Sequence, residues 1–68
     1  MLQKRSVMLA GHATSLALEP EFWGVLEALA KSRSLSLAAQ LAEIDENRDR
    51  RPLASACRVA ALAFASGN

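Results

Sequence analysis

Cysteine is nearly absent from this chain. Cys57 stands alone among 68 residues, so no disulfide can form within it. Histidine is as scarce: with only His12, the Cys/His sets that hold structural zinc cannot be assembled. No metal and no cofactor is expected. Charge of one sign is also lacking, since eight basic and seven acidic side chains leave a net charge of +1. Bulk charge therefore says little about partners. A Ser/His/Asp set, paired carboxylates in a cleft and a glycine-rich phosphate loop are all missing, and the reading is non-enzymatic. Long apolar runs are missing too. The most apolar stretch, Leu53 to Ala65, would be about 20 Å long as a helix, against roughly 30 Å of hydrocarbon. It cannot span a bilayer. Met1 to Gly11 contains Gln3, Lys4, Arg5 and Ser6, and no apolar run of signal-peptide length follows, so a cytoplasmic location is expected.

Hydrophobic side chains are abundant instead, at 51% of residues. A chain of this length forms one small domain, 1–68, whose core barely offsets its chain entropy. With no disulfide or metal to help, a partner subunit is the remaining source of stability. So much apolar surface would otherwise lie exposed. An obligate oligomer is expected.

Punctuation divides the chain. Gly11-His12 separates two strand-compatible runs, Arg5–Leu9 and Ala13–Leu18, giving a strand region of about 5–18. The second run alternates, with Leu16 and Leu18 on one face and Ala13, Ser15 and Ala17 on the other. A lone strand is not stable, so either the first run folds back onto it or a second subunit supplies the mate. Glu19-Pro20-Glu21 then opens a helix, with Pro at the first position and acids at the positive end of the dipole. Phe22, Val25, Leu26, Leu29 and Ala30 form its apolar stripe, with Glu27 and Lys31 as an i,i+4 pair, over about 20–33. Ser36 is a natural N-cap for a second helix, about 37–47, with Leu37, Leu41 and Ile44 inward. The charged segment 45–51 and Pro52 break the pattern. A third helix, about 53–65, is apolar nearly all round, which implies burial against another subunit. Ser66-Gly67-Asn68 is a stop signal.

The strand running into the Pro-opened helix, Ser15-Leu16-Ala17-Leu18-Glu19-Pro20-Glu21-Phe22-Trp23, and the Leu35-Ser36-Leu37 turn resemble the ribbon-helix-helix superfamily of Arc/MetJ-type repressors. More narrowly, Lys4-Arg5-Ser6-Val7, Gly11-His12, Leu18 to Trp23 and Ser55-Ala56-Cys57-Arg58-Val59 resemble a small, uncharacterised bacterial family of ribbon-helix-helix domain proteins. The resemblance implies a mainly α fold with an N-terminal β-ribbon and an additional C-terminal helix, as an intertwined homodimer. It implies that two chains pair their strands into a ribbon that enters the major groove of double-stranded DNA. Ala13, Ser15 and Ala17 would face the bases, and the start of the second helix, at Ser36 and Leu37, would grip phosphate. Two features depart from the pattern. The groove face offers no long polar side chain, and Ser34 stands where relatives favour a left-handed Gly.

The basic arm, Lys4 and Arg5, suits phosphate, though it also reads as a solvated terminus. His12 reads as a turn residue or a partly buried histidine, Trp23, beside the main stripe of the first helix, as a packing or dimer contact, and Cys57 as a small core residue. Arg48, Arg50 and Arg51, interleaved with Glu46 and Asp49, read as a solvated loop rather than a phosphate patch, and Arg58 as a residue that caps or pairs with an acid across the subunit interface. Three functions stay open: a DNA-binding transcription regulator, the antitoxin of a toxin–antitoxin pair, and a dimeric protein-interaction adaptor that does not bind DNA. Against the antitoxin stands the absence of a polar C-terminal tail. No membrane partner is expected.

Overall fold

The structure, a computed structural model, describes residues 1–67, and Asn68 of the expected stop signal lies outside them. Strands β1, Gln3–Leu9, and β2, His12–Leu18, form an antiparallel hairpin, with Gln3 opposite Leu18 and Leu9 opposite His12. Of the two mates left open for β2, the chain's own first run takes the place. The ribbon described in this chain is thus a hairpin of its own two strands. The turn explains why. Ala10 and Gly11 both have positive φ, 51° and 80°. Two left-handed central residues make the two-residue turn whose twist matches the flanking strands. Gly11 adopts this conformation at no steric cost, whereas Ala10 is strained by its Cβ.

Three helices follow: α1, Pro20–Ser32, α2, Leu37–Asn47, and α3, Leu53–Ala65. Pro20 occupies the first turn of α1. Glu19, just before it, makes no side-chain cap there. Its carboxylate instead accepts from Arg58 Nε at 2.9 Å, tying the start of α1 to α3. Arg58 also lies over the Phe22 ring, 5.7 Å from its centroid. The acid expected to meet Arg58 across an interface is therefore in the same chain. Hydrogen bonds from the backbone and from Arg58 hold Glu19 below the usual carboxylate range.

α1 ends in a Schellman motif. The Leu35 N–H donates to the Ala30 carbonyl at 2.9 Å and the Ser34 N–H to the Lys31 carbonyl at 3.0 Å. Ser34 sits at the left-handed position, φ 57°. Arg33 then clamps α1 to α2. Its Nη1 and Nη2 donate to Glu43 at 2.6 and 2.9 Å, and Nη1 also donates to Gln40 Oε1 at 3.1 Å. That bond gives the buried Gln40 amide oxygen a partner, as burial requires.

The core gathers Leu9, Leu16 and Leu18 from the hairpin, Trp23 and Leu26 from α1, Leu41 and Ile44 from α2, and Ala56, Cys57 and Ala61 from α3. α2 packs on β1 and α3 on β2. The buried line of α1 is Trp23, Leu26 and Ala30, with Phe22, Val25 and Leu29 half-buried at its edges. Trp23, read as lying beside the stripe, is its centre. Its indole N–H donates to the Gln3 carbonyl at 2.8 Å, which fastens β1 to α1. Glu27 does not pair with Lys31 but with Arg5, at 3.1 Å. Cys57 is fully buried, and burial pushes its thiol up to about 11. It is an inert core residue at neutral pH.

Candidate nucleic-acid interface

A two-stranded hairpin has two faces, and the register assigns every strand residue to one of them. Residues directly opposite in an antiparallel pair point the same way. Arg5 opposite Leu16 and Val7 opposite Thr14 therefore belong to the face that carries Leu9, Leu16 and Leu18 into the core. Lys4 opposite Ala17, Ser6 opposite Ser15 and Met8 opposite Ala13 form the other face. Lys4, Ser6, Met8, Ala13 and Ser15 are exposed and Ala17 is half-buried.

This outer face has one cation, two hydroxyls, one thioether and two methyl groups, and no acid. Such a surface suits a polyanion with base edges: Lys4 supplies charge, Ser6 and Ser15 donate or accept, and the alanines can meet a thymine methyl. The face predicted from alternation in β2 is the exposed one. Ser6 and Met8 were missed, because the mate of β2 was left open. Recognising Ala10-Gly11 as a two-residue turn would have fixed the register and found both.

The two members of the basic arm part company. Lys4 is on the outer face. Arg5 is on the helix side, its guanidinium 4.5 Å from the Trp23 ring centroid and paired with Glu27. Ser36 and Leu37 lie at the start of α2, remote in sequence from the hairpin. The Ser36 hydroxyl accepts from the Ala39 N–H at 3.0 Å. The first turn of α2 contains no acid. The backbone N–H groups of Leu37 and Ala38 head this helix, so its positive end is open to an anion. The Arg33–Glu43 clamp fixes how α2 is presented, and its hydrogen bonds hold Glu43 below the usual carboxylate range.

Among the described residues no group of three or more His, Cys, Asp or Glu could hold a metal ion, and no helix is long and apolar enough to cross a membrane. A family model described as a ribbon-helix-helix domain matches residues 2–65. The chain belongs to the ribbon-helix-helix family. Ribbon-helix-helix domains are typically dimeric, non-enzymatic DNA-binding regulators or antitoxins. In this ribbon-helix-helix chain a third helix, α3, adds to the strand-helix-helix unit. No curated protein and no solved structure gives a match.

Proposed function

We propose that this protein is a cytoplasmic transcription regulator that lays the outer face of its hairpin in the major groove of double-stranded DNA. The observation that carries the reading is the division of the ribbon: one face is the core, and the other is exposed, acid-free and headed by Lys4. Ala13, Ser15 and Ala17, with Ser6 opposite, face the bases. The open start of α2, at Ser36 and Leu37, takes phosphate. Arg5 can add a phosphate contact only by leaving Glu27. The protein acts as a homodimer, which doubles these contacts on a two-fold site.

Because the face has few hydrogen-bonding groups, phosphate supplies most of the affinity. Binding to duplex DNA is then weakly selective and strongly salt-dependent, with each neutralised phosphate adding roughly 0.9 to the log–log slope. A fluorescence titration of random duplex across salt concentrations tests this. Lys4→Ala in both subunits removes two cations and flattens the slope by about 1.8. No binding at low salt would refute the reading and leave the adaptor in its place.

A further inference from the structure

We infer that two copies of this chain meet along the exposed face of α3, each setting its Val59–Leu62 ridge into the other's groove between α2 and α3. This inference rests on the reading that the protein acts as a homodimer, and it names the surface that joins the copies.

The first observation is a helix face without charge. Helical spacing puts Ser55, Val59, Leu62 and Ser66 on one line of α3, with Ala63 beside it. Val59 is 48% and Leu62 65% exposed. The solvated side of an amphipathic helix normally carries charged residues. The only charged side chain of α3, Arg58, is turned to Glu19 and Phe22.

The second is the neighbouring groove, about 420 Å³, where Leu29, Ile44, Ala60 and Phe64 are the apolar part of a lining that also contains Gln40, Asn47 and the Arg33–Glu43 pair. Val59 and Ala63 are part of the same wall, so ridge and groove are one continuous surface. A two-fold contact must be self-complementary, and an apolar ridge beside a partly apolar groove meets that condition. The small side chains of Ala60 and Ala63 allow the helices to approach closely.

Charge selects the direction. Arg48 and Arg51 line the groove too, near the start of α3. Arg48 pairs with Asp45 at 2.7 Å, whereas the Arg51 guanidinium has no acid partner among the described residues. The last turn of α3 contains no basic residue of its own to meet the negative end of the helix dipole. An antiparallel pairing of the two α3 helices brings that end beside Arg51 of the other copy, and the two-fold repeats the contact.

The test is sedimentation of the full chain at micromolar concentration, with circular dichroism as the check on folding. Wild type is expected to be dimeric. Leu62→Glu is expected to keep its helix content and become monomeric. Met8→Glu, which replaces a comparably exposed residue on the hairpin, stays dimeric. Arg51→Ala weakens the dimer about three- to thirtyfold, two dipole contacts being lost. Cross-linking provides a second measure that does not depend on a folded glutamate variant. Val59→Cys in a Cys57→Ala background places a thiol near the two-fold axis and should oxidise to a covalent dimer, whereas Met8→Cys in that background should not. A dimer that survives Leu62→Glu, or a Val59→Cys protein that does not cross-link, overturns the α3 interface and leaves the homodimer standing. A monomeric wild type overturns both.

Discussion

Replacing one residue on each face of β2 by arginine tests the ribbon assignment. Leu16 is 3% exposed and lies opposite Arg5. Leu16→Arg loses a buried aliphatic side chain, about 2–5 kcal/mol. It also sets two guanidinium groups opposite each other on the core side, where an unpaired charge costs more again. A chain of 68 residues has roughly 3–10 kcal/mol of stability in total, at 0.05–0.15 per residue. The variant should therefore be unfolded at 25 °C. Ala13 is exposed on the outer face opposite Met8. Ala13→Arg should change stability by no more than about 0.5 kcal/mol. In the groove it adds a cation and a side chain able to hold guanine through two hydrogen bonds, contributing about 1–3 kcal/mol of discrimination. Thermal melts and duplex titrations read both effects. A folded Leu16→Arg beside an unfolded Ala13→Arg would mean the faces are inverted. Two folded variants with unchanged DNA binding would remove the ribbon from any role in DNA recognition.

Ser34→Gly removes the Cβ from a left-handed residue, and Ala10→Asn puts at the other such position a residue that tolerates the left-handed region better than Ala. The strain is about 1–2 kcal/mol and a glycine gives back about 0.5–1 in chain entropy, so Ser34→Gly should gain roughly 0.5–1 kcal/mol in a denaturant melt, and Ala10→Asn, which keeps a Cβ, should gain less. A loss would contradict the turn geometry. Glu19 and Glu43 are held below their ordinary value of 4.5, so their ionised forms stabilise the fold. That contribution is complete above pH 4.5 and is lost as pH falls through the lowered values. The melting temperature should drop on acidification below about 4.5, and less steeply in Glu19→Gln. Removing residues 53–68 takes Ala56, Cys57 and Ala61 out of the core. The product should be insoluble or unfolded, and a soluble helical product would make α3 an accessory.

The helices were legible because each carries its own punctuation: Pro20 opening α1, Ser36 capping α2, Pro52 before α3. The face of β2 was legible for the same local reason, a period of two in Leu16 and Leu18. What eluded sequence reading was set by contacts between distant residues. Nothing near Arg5 in the chain says that it stacks on Trp23 and pairs with Glu27 rather than pointing outward with Lys4. Burial of Gln40 follows from Arg33 reaching it, and the pairing of Arg58 with Glu19 within the chain depends on how α3 crosses the start of α1. The hairpin turn was local and could have been read. Ala10 occupies a position where Asn is the usual signal, which hid it.

The proposed function places the outer face of the hairpin against DNA. The most direct measurement is an amide chemical-shift map of the labelled protein titrated with a short duplex at low salt. The largest changes are expected at Lys4, Ser6, Ala13, Ser15 and Ala17, with a second group at Leu37 and Ala38, and little change at Val59 and Leu62. Changes confined to α3, or none anywhere, would contradict it.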